Sequence, residues 1–315
     1  MKTTITIQIF TIGFMIILFT SCSNDVNHDS NNLMDKKQVT FTTSIKSLES
    51  IDVTKRKTAF YGISFNNDDK IGIYSSTATL AASGNYFENI SYTSDASDNI
   101  SLSEGETPVY WPTNISSLNF FAYHPYKEGG VDAGTTTLSF SVALNQNIGN
   151  SAFDYDLVYA KSLGVTSGAD IPLSFEHKLC RVAVQLFSGT ETLITNQIDS
   201  VVINNVYKNV ELNLASGDLT IPSQPKVNIR LDLFDAGQNF TSIIPPIDEA
   251  TDVEIAVYRN DGNSFIASLP STTFQGGYSY KYNVFLDKKV ISVSPVTVGY
   301  WWSEDSQDVN ATSTN

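Results

Sequence analysis

Histidine is the side chain best suited to acid–base work or metal binding near neutral pH, and the sequence contains three of them. His28 lies in a polar stretch, His124 lies among the aromatic residues of FFAYHPY, and His177 lies in SFEHKLC at the start of a predicted strand. No GxSxG, HExxH, CxxC or glycine-rich phosphate loop accompanies them. The pattern favours hydrogen-bonded structural histidines at positions 124 and 177. The sequence therefore predicts no catalytic residue, no metal site and no cofactor, and the protein is not expected to be an enzyme.

Carboxylate and amide oxygens are concentrated at Asn66-Asn67-Asp68-Asp69. Oxygen ligands of this kind suit calcium, but the spacing does not match an EF-hand loop. A turn between strands is favoured, and a calcium loop stays open as the alternative. Asp98, Glu104 and Glu106 are interpreted as solvated loop charges, because acidic pairs are too common in this chain to indicate a glycosidase.

Cys22 follows an apolar run, Ile5–Thr20, that has Lys2 before it. This length suits the apolar region of a secretory signal better than a membrane-spanning helix. Leu18-Phe19-Thr20-Ser21-Cys22 resembles the lipobox of bacterial lipoproteins, in which signal peptidase II cuts before the cysteine and the thiol receives a diacylglyceryl group. The alternative is an ordinary signal with an incidental cysteine. We expect lipidation of Cys22, with palmitate-type acyl chains anchoring the protein in the outer membrane.

Cys180 is the second of only two cysteines. With Cys22 acylated, no internal disulfide can form, so stability must come from a buried core. Cys180 shares its parity with Val182, Val184 and Leu186, while Arg181, Ala183 and Gln185 occupy the other parity. The pattern predicts that Cys180 is a small hydrophobe on the core face of a strand.

The balance of charges restricts the partners. The chain has 19 basic and 33 acidic residues, for a net charge of −14. Nucleic acid and anionic membrane surfaces both require Lys and Arg patches, so neither is expected to bind.

The dominant hydrophobic period along the chain is two, which is typical of half-buried strands. Tyr278, Tyr280, Tyr282, Val284 and Leu286 share one parity, for example. Further strands are predicted at residues 39–45, 70–74, 118–123, 138–142, 157–161, 198–203, 229–233, 253–258 and 291–293. Turn residues at 66–69, 129–130, 216–218, 260–263 and 276–277 separate them. No amphipathic segment of helical period stands out, so the sequence predicts an all-β protein made of β-sandwich domains.

The expected organisation has five parts. Residues 1–21 form the lipoprotein signal peptide, 22–37 the lipidated cysteine with a flexible polar tether, and 303–315 a polar tail. Between them we expect an N-terminal β-sandwich domain at 38–167 and a C-terminal one at 168–302. The boundary is placed in the small, glycine-bearing stretch LGVTSGAD at 163–170.

An ordered set of short motifs resembles the fimbrillin-like (Mfa-like) lipoproteins of gut and oral anaerobes. The set comprises VTF at 39–41, DKIGIYSS at 69–76, VYWP at 109–112, FFAYHPY at 120–126, Gln146, DLVYAKS at 156–162, LSFEHKLCRVAVQL at 173–186 and YSYKYNVFL at 278–286 followed by ISVSPVTVGYW. The resemblance implies two transthyretin-like sandwich domains and a role as a fimbrial (pilus) subunit or surface adhesin, with other fimbrial subunits or a host or bacterial surface ligand as partners. Trp111, Pro112 and the aromatics of 120–126 would fill the first sandwich.

The resemblance also implies assembly by strand exchange, in which an arginine-directed protease releases an N-terminal strand and a strand of the next subunit replaces it. Lys55-Arg56-Lys57 is the densest basic cluster and follows the first predicted strand, so it is the candidate processing site; a solvated loop is the alternative. The polar tail lacks the apolar alternation of a donor strand, which favours an accessory, tip or anchor subunit over a stalk subunit.

The competing interpretation is a stand-alone surface lipoprotein that binds glycan and does not polymerise. Sugars stack on exposed aromatic side chains, so Tyr278, Tyr280 and Tyr282 discriminate between the two. They would form a platform if solvent-facing and core if buried.

Overall fold

Alternation of apolar and polar residues produces strands throughout the described part of the chain. The computed structural model describes residues 37–46, 64–97, 99–146, 155–168, 170–188, 191–192, 197–234, 239–287, 290–293 and 297–300. All regular elements within those ranges are β-strands, which confirms the all-β prediction. The same residues contain no helix long and apolar enough to cross a membrane.

The strands are numbered in chain order. The first eight are β1 (Phe41–Ile45), β2 (Asn67–Ser76), β3 (Phe87–Asp95), β4 (Ile100–Leu102), β5 (Ser117–His124), β6 (Thr137–Ser141), β7 (Val158–Thr166) and β8 (Ile171–His177). The next eight are β9 (Cys180–Ser188), β10 (Glu191–Thr192), β11 (Ile198–Val206), β12 (Asn209–Asn213), β13 (Leu219–Thr220), β14 (Val227–Arg230), β15 (Asp232–Phe234) and β16 (Asn239–Ile244). The last are β17 (Ile247–Ala250), β18 (Glu254–Arg259), β19 (Ser264–Ser268), β20 (Thr272–Phe274), β21 (Tyr278–Asp287), β22 (Val290–Val293) and β23 (Thr297–Tyr300).

The first sheet has seven strands in the order β1-β8-β7-β5-β2-β3-β4. Its β1–β8 pair is parallel, and its other pairs are antiparallel. An isolated antiparallel bridge joins Thr42 of β1 to Asn99, next to β4. The two edge strands of this sheet therefore meet, and the sheet curves round its own interior.

Successive residues of the first sheet face two different cores. Phe120 lies in a cluster that we call the inner core, which also contains Val39, Phe41, Ile73 and Phe175. The neighbouring residue in the sequence, Phe121, lies in a second cluster, the shared core. Its members come from both halves of the chain, among them Tyr74, Tyr123, Tyr159, Val182, Val257 and Tyr282.

The described strands outside the first sheet form four further sheets. Their orders are β15-β16-β9-β21-β22 with β10 and β23 attached, β14-β11-β18-β19, β13-β12-β6 and β17-β20. Strand β6 precedes the predicted boundary at 167/168 but pairs with β12, and β8 follows that boundary but pairs with β7 and β1. All of the described residues fall in one compact unit. The division into two sandwich domains at this point stays a prediction.

Two details of the sequence prediction were wrong. The strand predicted at 229–233 is broken at Leu231, where the chain passes from β14 into β15 of another sheet. His177 ends β8 and does not begin a strand. The core face of β9 was predicted correctly, since Cys180, Val182 and Val184 are all 0% exposed.

Candidate functional site

Strand β1 lies at the centre of the candidate site because it combines a buried face with an exposed one. Phe41, Thr43 and Ile45 point into the protein, and Thr42 and Ser44 are exposed. Val39, just before the strand, continues the buried face at 1% exposure. This period-two pattern places three apolar side chains of a short segment in the inner core.

The backbone of this segment is paired along both sides. Toward β8, Thr40 O accepts a hydrogen bond from Ile171 N at 3.0 Å, and Lys46 N donates to Phe175 O at 2.8 Å. On the opposite side the partner is the 109–111 segment: Val39 N donates to Val109 O, and Trp111 N donates to Lys37 O, both at 2.9 Å. Loss of the strand would therefore leave unpaired backbone groups on two flanks and open the inner core between them.

Polar side chains reinforce the β8 flank. Lys37 Nζ donates to Gly168 O, and Thr40 Oγ1 donates to a carboxylate oxygen of Asp170. At the other end of the strand, Lys46 Nζ pairs with Glu176, whose second oxygen lies 3.5 Å from Lys178 Nζ. The hydrogen bond from Lys46 is the main cause of a lowered pKa at Glu176, which burial partly opposes.

Phe41 sits in an aromatic socket formed by Tyr92 of β3 and Phe120 of β5. Its ring centroid is 5.0 Å from that of Tyr92 at 82°, and 5.4 Å from that of Phe120 at 81°, so both contacts are edge-to-face. Phe120 is backed in turn by Trp111 at 5.9 Å. Burial raises the pKa of Tyr92 to about 12, with Glu106 contributing. The socket is therefore desolvated, and it accepts the Phe41 side chain because the ring fits its shape.

The site residues predicted from the sequence are not among the residues that form this arrangement. Cys22 and the Lys55-Arg56-Lys57 cluster both lie outside the described residues. What the structure describes is the chain on either side of the basic cluster, up to Lys46 at the end of the β1 segment and again from Ser64 before β2.

The histidines in the described ranges have structural partners. His124 Nδ1 is 2.9 Å from Lys70 O, and its ring packs edge-to-face on Phe65. His177 Nδ1 is 2.5 Å from Asp156 Oδ2, and both side chains are buried. These contacts agree with the structural role predicted for both residues.

The acidic stretch at 66–69 forms a turn that begins β2. Asn66 N donates to Asp69 Oδ2 at 2.7 Å, and Asp69 N is 3.4 Å from Asn66 O. Over the residues that the structure describes, no group of three or more His, Cys, Asp or Glu side chains is arranged to hold a metal ion. The carboxylate of Asp69 is thus used by its own turn.

The tyrosines of β21 were expected to be exposed in a glycan-binding protein and buried in a fimbrial subunit, and they belong to the core. Tyr280 is 2% exposed and Tyr282 is 0% exposed. Tyr278 is partly buried and packs against the shared core. Burial raises the pKa of Tyr280 to about 12, with a hydrogen bond to the Gln275 backbone opposing the shift. Tyr280 and Tyr282 therefore offer no stacking surface for a sugar.

Tyr92 and Glu176 were not singled out from the sequence. Glu176 stands between core residues Phe175 and His177 at the exposed parity of β8. Its position in the sequence does not distinguish it from other solvated acidic residues. Only the β1–β8 register, which places Ile45 opposite Phe175, brings it to Lys46. Tyr92 lies between the polar residues Ser91 and Thr93, and β3, the strand that carries it, was not predicted.

Comparisons with known proteins agree on one family. A family model described as fimbrillin-like matches residues 56–301. A Bacteroides uniformis protein whose assigned name is fimbrium subunit Fim1C is 26% identical over 268 residues, which covers 79% of this chain and 82% of that protein.

Two crystal structures of proteins classed as cell adhesion proteins share the fold. The one from Bacteroides uniformis is 22% identical with a TM-score of 0.64, covering 84% of this chain and 98% of its own. The one from Bacteroides ovatus is 18% identical with a TM-score of 0.65, covering 86% and 99% respectively.

Proposed function

The chain belongs to the fimbrillin-like family, and we propose that it is an accessory, tip or anchor subunit of a surface fimbrium that acts in cell adhesion or pilus assembly by strand exchange. The observation that carries this proposal is the construction of β1. Its side chains complete the inner core, and its backbone is paired on both flanks. Once the chain is cut after this segment, only noncovalent contacts hold it to the chain that follows the cut.

The order of events follows from these contacts. While β1 is in place, its apolar side chains and backbone groups are satisfied and the subunit is soluble as a monomer. Cleavage within Lys55–Lys57 would let the strand leave, and the groove between β8 and the 109–111 segment would then expose apolar surface and unpaired edges. A strand from another subunit restores both kinds of contact, which is strand addition. Oligomers should therefore follow cleavage and not precede it.

Limited trypsin digestion of the mature protein tests this proposal, with mass spectrometry to locate the cut and size-exclusion chromatography to follow assembly. We expect preferred cleavage within Lys55–Lys57 and oligomers afterwards when a donor subunit is present. The matched control replaces Lys55, Arg56 and Lys57 by Gln and should stay intact and monomeric. Preferred cleavage elsewhere, or nicked protein that remains monomeric with donor present, would remove the support for strand exchange.

We further propose that Cys22 is the lipid attachment site and holds the subunit at the outer membrane. Support comes from the lipobox-like sequence that ends at this residue. Cys22→Ala should abolish incorporation of labelled palmitate and leave the precursor unprocessed or mislocalised. Equal labelling of the variant and the natural protein would show that the anchor lies elsewhere.

The glycan-binding alternative depended on an exposed tyrosine row. Because Tyr280 and Tyr282 are buried, no observation on those residues favours it. We therefore take the fimbrial role as the better account, with other fimbrial subunits as partners and no enzymatic activity.

A further inference from the structure

The position of Phe41 determines what kind of strand can replace β1. Of the side chains that the segment sends inward, Phe41 is the only aromatic, and it contacts rings from two other strands, Tyr92 and Phe120. Val39 and Ile45 fill aliphatic positions on either side of it. Thr43, between Phe41 and Ile45, is 4% exposed and occupies a smaller space.

The register fixes where each position falls. Phe41 stands opposite Ile171, Thr43 opposite Leu173 and Ile45 opposite Phe175, in parallel pairing. A shift of one residue would turn every inward side chain outward, because the period of a strand is two. A replacement strand that keeps the pairing to β8 therefore brings one particular residue to the socket.

We propose that this groove selects a donor strand with an aromatic side chain at the Phe41 position, running parallel to β8, with aliphatic residues two positions before and four positions after it. The partner is a strand of another fimbrial subunit with that pattern. The inference rests on the strand exchange proposed above and adds the recognition rule for it.

Edge-to-face ring contacts explain why an aliphatic residue is a poor substitute. Tyr92 and Phe120 both face Phe41 at nearly right angles, an arrangement that favours a third ring over a branched alkyl group. Leucine at this position would leave part of the socket empty, and alanine would leave most of it empty. Empty space in a close-packed core loses both transfer energy and contacts.

A segment of this chain with a similar pattern is already part of the folded sheets. Leu138, Phe140 and Val142 alternate like the β1 segment. They belong to β6 and the residue after it, β6 is paired with β12, and Leu138 and Val142 are buried in the shared core. Using this segment as a donor would dismantle the fold that carries it, so it is not the donor.

The β8 flank adds a charge preference. Glu176 receives Lys46 directly after the last inward residue of the segment. A donor with a basic residue at that position keeps the pair, while an acidic residue would face Glu176 with like charge.

Synthetic peptides that stand in for the donor test the rule without altering the groove. The probe is a fluorescent peptide of residues 37–46, KQVTFTTSIK, offered to mature protein that trypsin has cut within Lys55–Lys57. Variants carry Phe41→Leu or Phe41→Ala, and the matched control carries Thr42→Ala at an exposed position. Incorporation is measured by size-exclusion chromatography, both by direct incubation and by refolding the nicked protein with excess peptide.

We expect binding to weaken about tenfold for Phe41→Leu and by more than about 100-fold for Phe41→Ala, with less than about threefold change for Thr42→Ala. If the natural peptide is not incorporated by either route, strand exchange itself is contradicted. If the natural and Phe41→Leu peptides bind equally, strand exchange stands and the aromatic rule is wrong. An equally large effect of Thr42→Ala would show that the register differs from the one seen here.

Discussion

Glu176 joins two lysines that lie in different parts of the chain. Lys46 follows β1, and Lys178 follows β8, so one carboxylate holds the end of the first strand against its neighbour. Its side chain is 47% exposed, which makes the pair weak by the standards of buried ion pairs. The Lys46–Glu176 pair matters because of its position, since it holds β1, the strand that strand exchange would remove.

The lowered pKa of Glu176 gives this contact a pH dependence with a definite sign. A carboxyl group whose pKa falls on folding stabilises the fold above its unfolded value of about 4.5, and that contribution is lost as the pH drops through the folded value. Glu176→Gln should lower the free energy of unfolding by about 0.2–1 kcal/mol at pH 7, and by less at pH 3.

Urea unfolding at both pH values measures this difference, with Asp252→Asn as the control. Asp252 pairs with Lys226 far along the sequence, away from the β1 segment. A double-mutant cycle with Lys46→Met should assign most of the loss to the Lys46 pair. Full additivity of the two substitutions would exclude the coupling.

Cys180 illustrates a residue whose role the sequence did predict. Its thiol is fully buried, and burial raises the pKa well above the usual value. The folded protein should therefore react with thiol reagents far more slowly than the unfolded one. Cys180→Ser should cost about 1–3 kcal/mol if the hydroxyl finds no partner. Rapid labelling under native conditions, in a protein that lacks Cys22, would contradict the position of β9.

At the level of elements, the side chain of Gln146 makes the backbone hydrogen bonds that a neighbouring strand would otherwise make. Its side-chain amide donates to Ile243 O and accepts from Ile243 N, both at 2.8 Å, along an edge of β16. Gln146 is 1% exposed, so these backbone groups have no access to water. Gln146 was part of the motif set in the sequence, and these two hydrogen bonds to Ile243 explain its structural role.

Gln146→Leu should destabilise the protein by about 1–3 kcal/mol, because it leaves a buried N–H and C=O of Ile243 without partners. The matched control is Gln275→Leu at an exposed site, which should change stability by less than about 0.5 kcal/mol. Chemical denaturation followed by circular dichroism measures both. A loss no larger than that of the control would mean that β16 does not depend on this amide.

Strands with unbroken alternation were predictable, and irregular ones were not. β21 keeps one parity over its buried residues. In β9, Cys180, Val182, Val184 and Leu186 share one parity, and the alternating residues Arg181 and Ala183 are buried too. Both strands were recognised from pattern alone. β3 was missed because its pairing with β2 contains register shifts and Asn89 has a positive φ of 49°, which breaks the alternation. The candidate site shares this limit, since Phe41 follows from alternation but Tyr92 reaches it only through an irregular strand.

On the scale of the whole molecule, the first sheet contributes side chains to two cores. One face covers the inner core, while Tyr74, Phe121, Tyr123 and Tyr159 on the other face join the shared core with residues of the second half. Tyr159 also donates a hydrogen bond to Leu214 O at 2.6 Å, and β6 pairs with β12. Separating the halves at 167/168 would expose this surface and would divide β8 from β7.

The intact mature chain should therefore unfold in one cooperative transition, although its sequence suggests two domains. Calorimetry tests this by comparing the calorimetric enthalpy with the van't Hoff enthalpy, which are equal for a two-state transition.

A fragment of residues 168–315 should lack fixed tertiary structure, since β12 would lose β6 and Val182 and Tyr282 would lose their tyrosine neighbours. A fragment of 38–177, which keeps β8 with its sheet, serves as the control for the cut position and should also be unstable, because its four aromatic side chains would face water. Two well-separated transitions, or a fragment of 168–315 that folds alone with a near-ultraviolet signal, would instead establish two independent sandwich domains, and removal of β1 would then destabilise only the first.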